Sequence, residues 1–410
     1  MTDKIYQRQP YLKEYESEIV SFDGKNLVLS STIFAPEAGG QPCDLGTIGG
    51  YRVKYVGEEN GVVYHELSVP EQEAAEDEKN VKDPQGAQGG TKIGLQPGMN
   101  ISMQLDWERR FDHMQNHLGE HMLSGLFKSE YDADNKGFHM GDEIACFDID
   151  LKEITPQMLR NIEHKANRAV YAALPVKVSF AQNAEQAAEF PLRKPPAVDE
   201  DILIVTVEGV DCCACCCPHP SNTSQVGIVK LLRTEKYKGM TRVYFKCGMR
   251  ALLDYEQKHD VVSELSEKYS ADEFSLLEKE RIAESKHEEI RRELNRMKDK
   301  FAELSARELL EGAQRAVIHE FEAEDIDGLK RIAKKVTAKT DLPVILSSEN
   351  HLCVFMTHTG KSGLRCGTVV KEFAVGAGGK GGGSDTQAQA IFTNADLMRN
   401  FVRLAEAHLS

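Results

Sequence analysis

The chain has 410 residues, a formal net charge of -15 and 41 % hydrophobic residues, which is apolar material for two or three domains rather than one compact core. An acidic balance of this size excludes non-specific nucleic-acid binding by the whole surface and leaves room only for a locally basic region. No run of about eighteen apolar residues occurs, and the start, MTDKIYQRQPYLKEYESEIV, has neither the basic end nor the apolar middle of a signal peptide. A soluble, cytoplasmic protein with no membrane partner is expected.

Residues 1–90 hold short β-like runs, NLVLSSTIF, YRVKYVG and GVVYHELSV, broken by Gly and Pro in PEAGGQPCDLG. They read as a small β-rich domain, a barrel. The stretch PEQEAAEDEKNVKDPQGAQGG is polar, charged and turn-rich, and predicts a surface loop.

Residues 91–255 read as an α+β domain. The segment DWERRFDHMQNHLGEHMLSGLFKSE repeats Met114, Leu118, Met122 and Leu126 at helical spacing. A second helix, capped at Thr155, runs through TPQMLRNIEHKANRAVYAAL, and ILIVTVEG, VGIVKLLRTEKY and TRVYFKCG follow as strands.

Residues 256–316 turn to Glu, Lys, Arg and Leu, with a capping box at Ser270 and Glu273. Ile290, Leu294, Met297, Phe301 and Leu304 follow the seam of a coiled coil or long helical hairpin, most simply as its core and also as a homodimer contact. Residues 317–410 return to mixed structure, with LPVILSS and LCVFMTH as strands and TNADLMRNFVRLAEAHLS as a closing helix. Between them lies a glycine-rich loop, GAGGKGGGSDTQAQA.

Three histidines, His113, His117 and His121, stand four residues apart on the first helix. An i,i+4 pair can converge on one ion, but His113 and His121 lie about 12 Å apart along a helix, too far to share a zinc with bonds of about 2 Å. One neighbouring pair can therefore serve. A second half-site, CCCPH, offers Cys215 and His219, a thiolate and an imidazole suited to zinc. Five of the ten cysteines crowd into DCCACCC, Cys212 to Cys217, and in a reducing compartment metal ligation or thiol chemistry is favoured over disulfides.

HMQNHLGEHMLS followed about ninety residues later by Cys-x-x-x-His resembles the editing domain of alanyl-tRNA synthetase and its freestanding AlaX relatives. STIFAPEAGGQPCDLGTI resembles that family's Thr-x-Phe…Gly-Gly-Gln segment, and the glycine-rich loop resembles the DHHA1-type domain that ends alanyl-tRNA synthetase. The whole chain looks like a long-form AlaX protein: a β-barrel, a zinc-binding editing domain, a coiled-coil segment and a DHHA1-like tRNA-binding domain. The resemblance implies one zinc held by His117, His121, Cys215 and His219, and hydrolysis of Ser or Gly esters wrongly made on tRNA(Ala). It implies that the Thr32 hydroxyl bonds the serine side chain, so that alanine, which lacks one, escapes. The chain departs from the family at Cys217 and Pro218, where Gly and Thr are usual.

Gln41 can donate and accept near the ester, while Gly39 and Gly40 admit a close ligand. Arg242 and Arg250 offer charge for terminal phosphates. From Leu329 onward there are eleven Lys or Arg against six Asp or Glu, a net +5, which points the tRNA to this segment and its Gly378, Gly379, Lys380, Gly381 and Gly382. No ATP-activating motif is present, so ATP-independent chemistry is expected. The alternatives are a tRNA-binding protein with structural zinc and an editor of another aminoacyl-tRNA.

Overall fold

The computed structural model describes residues 1–68, 94–376 and 378–409. The expected surface loop and the boundary at residue 90 lie outside the described residues. The chain is α+β with several sheets, and divides into two compact units, Met1–Val262 and Ser263–Ser410.

In the first unit six strands pair in a closed ring: Glu14–Phe22, Asn26–Leu29, Val62–Leu67, Tyr51–Glu59, Gly46–Ile48 and Asn100–Leu105, the last returning to the first. Alternation explains the ring, since Val62–Leu67 buries every second residue and strands of period two present one face to a core. That core is Ile19, Leu27, Leu29, Ile48, Val53 and Val63 with their neighbours.

The Trp107–Tyr131 helix follows at once, capped by Asp106, whose carboxylate accepts from Arg109 N at 3.1 Å. It is buried on nearly every side from His113 to Phe127, which suits a helix wrapped by sheets rather than one lying on a surface. Around it lie a four-stranded sheet, Val229–Tyr237, Met240–Cys247, Ala145–Ile149 and Asn135–Met140, and a three-stranded one, Val176–Asn183, Glu200–Val207 and Asp211–Ala214. The Pro156–Tyr171 helix begins as read, with Met158 N on Thr155 Oγ1 at 3.2 Å.

Arg110, on the first turn, ties helix to barrel. Its guanidinium and the Asp44 carboxylate are both fully buried, with Nε at 2.9 and 3.0 Å from the two Asp44 oxygens. Its remaining nitrogens donate to Asp44, to Ile33 O at 2.6 Å and to Pro10 O at 3.0 Å.

The helices Gly248–Tyr269 and Leu276–Glu311 occupy the segment expected to be helical. The expected capping box is absent: Ser270 takes a left-handed φ of 48° beyond the first helix, and Asp272 accepts from Ser275 N at 2.8 Å instead. The seam is not core either, since Ile290 and Met297 are 62 % and 61 % exposed. The Leu276–Glu311 helix instead buries its small residues, Ala302, Ser305 and Ala306, two of them in a cluster with Leu329, Ile332 and Ala333 of the Ile326–Thr337 helix.

The second unit carries a five-stranded sheet in the order Val317–Phe321, Val344–Ser348, Cys353–Thr357, Gln387–Ile391 and Lys380–Gly383. Its first pair is parallel, the others antiparallel. The expected glycine loop is in part an edge strand: a side chain on Gly381 would put Cβ 2.3 Å from Gln389 O, so only glycine lets the strands meet.

Candidate metal centre

The ligand atoms of His117, His121, Cys215 and His219 all lie within 4.8 Å of one another. The Trp107–Tyr131 helix presents the first two one turn apart, their rings 5.2 Å between centroids, and the chain beyond the Asp211–Ala214 strand supplies the other pair. Cys215 Sγ is 3.6 Å from His117 Nε2 and 3.3 Å from His219 Nε2. Zinc bonds of about 2.0 Å to nitrogen and about 2.3 Å to sulfur at a tetrahedral angle put such atoms about 3.5 Å apart. The spacing and the three-imidazole, one-thiol donor set both fit zinc.

The histidines are oriented from behind. His117 donates from Nδ1 to Gln41 Oε1 at 2.6 Å, and His121 donates from Nδ1 to Asp211 Oδ2 at 2.9 Å. Each proton held at Nδ1 leaves Nε2 free to ligate, the arrangement that sets tautomer and ring angle at metal sites. Asp211 is fixed in turn by Arg193, whose Nε donates to Oδ1 at 2.7 Å. Burial pushes the His121 imidazole down, but its bonds with Asp211 and Cys215 outweigh that and hold it well above the usual range. Burial pulls His219 down to about 4, and its Nδ1 has no partner among the described residues.

Of the crowded thiols, Cys215 alone among the described residues joins the three imidazoles. A hydrogen bond from Cys217 and the neighbouring imidazoles hold its thiol well below the usual range, the sense a thiolate ligand needs. Cys213 shares a second cluster with His121 and Asp211, and burial pushes its thiol up. His113 is outside both clusters. Burial and the charges of Arg109, Arg250 and Arg110 push it down to about 3, and its Nδ1 has no partner among the described residues.

A cavity of about 380 Å³ opens on the cluster and takes in Gly39, His117, His121, Cys215, Arg193 and Glu120. Other sequence-derived candidates lie elsewhere. Gln41 is buried behind His117 and acts on that ring rather than on the cavity. Thr32 is fully buried in the barrel, its hydroxyl on His65 Nε2 at 2.8 Å while His65 Nδ1 donates to Leu27 O at 3.0 Å, and it is not among the residues lining the cavity. Gly40, at φ 82°, accommodates a strand instead of a ligand, since a Cβ there would lie 2.2 Å from Phe138 O.

Both arginines are already paired. Arg242 grips Asp148 at 2.7 and 2.9 Å. Arg250 holds Asp112 from Nε at 2.8 Å and Gly141 O at 2.7 Å. Gly381, Gly382 and Lys380 line a groove in the second unit together with Lys330, while Gly378 and Gly379 lead into that edge strand. Sequence reasoning missed Asp211, Arg193 and Glu120, although Asp211 directly precedes the cysteine run and Glu120 directly precedes His121. Among the described residues no helix is long and apolar enough to cross a membrane.

Residues 202–244 match the family model described as the threonyl and alanyl tRNA synthetase second additional domain. The chain is 29 % identical to alanyl-tRNA editing protein AlaX-L of Pyrococcus horikoshii, over 95 % of this chain and 94 % of that one. It is 30 % identical to alanyl-tRNA editing protein Aarsd1 of Danio rerio over 63 % of this chain, spanning 62 % of the relative's length. Against an alanine–tRNA ligase of Pyrococcus abyssi the identity is 28 % over 95 % of this chain, which spans only 42 % of the ligase. With one such likeness running nearly end to end in both chains, this chain is similar over almost its whole length to the AlaX-type alanyl-tRNA editing proteins.

Proposed function

We propose that the protein is an ATP-independent hydrolase that deacylates wrongly charged tRNA(Ala), taking seryl and glycyl esters, with one zinc on His117, His121, Cys215 and His219. The observation that carries this reading is the convergence of those four ligand atoms, three of whose residues, His117, His121 and Cys215, line a cavity of about 380 Å³. That volume suits a small aminoacyl group with the adjoining ribose, at the lower end of ordinary ligand pockets. When bound, zinc supplies Lewis-acid polarisation of an ester carbonyl and acidification of a nearby water.

The chain's own residues hold that chemistry in place. Gln41 and Asp211 keep the His117 and His121 protons on Nδ1; against its burial, His121 and then Arg193 hold the Asp211 carboxyl below the usual carboxylate range. Residues 1–68 and 94–255 act as the editing module. The net positive segment from Leu329 onward, with Lys330 and Lys380 on one groove, is its tRNA-binding part.

A second reading has its own support. Four protein ligands are the usual complement of a closed, structural zinc site, which would make the protein a tRNA binder without turnover. A panel of Ser-, Gly- and Ala-tRNA(Ala) decides. Release of serine and glycine with alanine spared supports the hydrolase; tight binding with all three esters intact refutes it and supports the structural reading.

A further inference from the structure

Glu120 lies between the two helix ligands in sequence yet is not part of the four-residue cluster. One residue is about 100° of helical turn, so its side chain leaves the helix beside His121 on a neighbouring wall. It is 5 % exposed and lines the same cavity.

Its two oxygens are treated differently. Oε1 accepts from Asn135 Nδ2 at 2.5 Å and from the Ser124 hydroxyl, and Asn135 Nδ2 also lies 3.0 Å from Ser124 Oγ. Two donors on one oxygen fix the carboxyl in a single orientation. Oε2 accepts no hydrogen bond among the described residues. A carboxylate oxygen can take about two such bonds, so Oε2 keeps its acceptor capacity for the cavity that Glu120 lines.

The cations on the cavity wall, Arg193, Lys194 and Lys136, make no hydrogen bond or ion pair to it among the described residues. Arg193 gives Nε to Asp211 at 2.7 Å, and Lys136 is held by Asp134 and Asp150 at 3.0 and 3.3 Å. The cavity thus presents an oriented carboxylate oxygen beside the metal ligands, with no ion pair to it among the described residues.

We infer that Glu120 receives the α-ammonium group of the bound aminoacyl ester. This rests on the deacylase reading and names what the cavity recognises in every substrate. Serine, glycine and alanine esters all carry that charge next to the ester carbonyl, whereas a peptidyl or N-acylated ester lacks it. An ammonium N–H donating to Oε2 completes the carboxylate's shell, while an N-acyl amide brings no charge and added bulk. The cavity would therefore spare esters whose amine is already blocked.

The test uses the zinc-loaded full chain and a hydrolysis-resistant probe, 3′-serylamino-3′-deoxyadenosine, beside its N-acetyl form. Calorimetry on the wild type should show the free-amine probe binding about tenfold to hundredfold more tightly, the range of one charge-assisted hydrogen bond. Glu120→Gln keeps an acceptor for Ser124 and Asn135. It should weaken the free-amine probe alone and erase the preference, with zinc content and unfolding temperature unchanged.

Equal binding of both probes by the wild type overturns the inference whether or not the variant folds, as does a preference that survives in Glu120→Gln. Seryl-ester turnover is measured alongside. Preference without turnover sinks the deacylase reading and leaves the ammonium site standing; turnover without preference does the reverse.

Discussion

Replacing Arg110 with Met tests how the barrel holds the metal centre. The substitution removes Nε from Asp44 at 2.9 and 3.0 Å and the donors to Ile33 O and Pro10 O at 2.6 and 3.0 Å. The buried Asp44 carboxylate keeps Ala35 N at 2.5 Å and loses the one cation paired with it among the described residues. Breaking a buried pair in this way costs about 3–5 kcal/mol, a large part of the roughly 5–15 kcal/mol of a typical domain. The single tryptophan, Trp107, stands three residues from Arg110 and stacks on Phe111 at 5.7 Å, so its fluorescence in a urea titration reports this unit. With m of about 3 kcal/mol/M, the midpoint should fall by about 1–2 M. Adding Asp44→Asn removes the stranded charge and should return about 1–3 kcal/mol. The chain from Gly39 to Asp44 also carries Gln41 to His117, so zinc affinity should fall with stability. A loss below about 1 kcal/mol, or no recovery in the double variant, would refute the reasoning.

Asp211→Asn removes the charge behind His121 while keeping its shape; zinc affinity, measured by competition with a chromogenic chelator, should drop about tenfold to hundredfold. Gly40→Ala forces a Cβ to 2.2 Å from Phe138 O at φ 82°, so calorimetric unfolding should show a loss of more than the roughly 1–2 kcal/mol of left-handed strain alone. Burial lowers His65 from 6.5 to about 4. Between those pH values the unfolded chain takes up a proton that folded His65 refuses. Its contribution is thus complete above pH 6.5 and lost as pH falls towards 4, by up to about 3 kcal/mol. Urea titrations of wild type and His65→Asn across this window should converge on acidification; parallel curves would remove His65 as the cause.

The metal half-sites were legible because their signals are local: His117 and His121 one turn apart on a helix, Cys215 and His219 four residues apart on a short loop. Their supports were not, since the bond from His121 reaches 90 residues along the chain to Asp211 and that from His117 reaches 76 back to Gln41. No spacing rule anticipates such partners. The roles read for Arg242 and Arg250 depended on free charge, and only the folded chain puts Asp148 and Asp112 against them. The Glu14–Phe22 strand was passed over because its outward face is Glu14, Glu16 and Glu18; its inward Ser17 and Ile19 are what the barrel uses. The Ile290–Leu304 seam has coiled-coil spacing, yet the helix buries Ala302, Ser305 and Ala306. Small residues allow the Ile326–Thr337 helix to approach closely, and periodicity of large apolar residues does not register them.

The most direct measurement is serine release from Ser-tRNA(Ala) by the protein as purified, after chelation and after zinc is returned, with Cys215→Ala beside it. The account predicts activity that disappears with the metal, returns with zinc in the wild type and does not return in Cys215→Ala. Undiminished release by fully chelated, metal-free protein, or zinc-restored activity in Cys215→Ala equal to wild type, would contradict it.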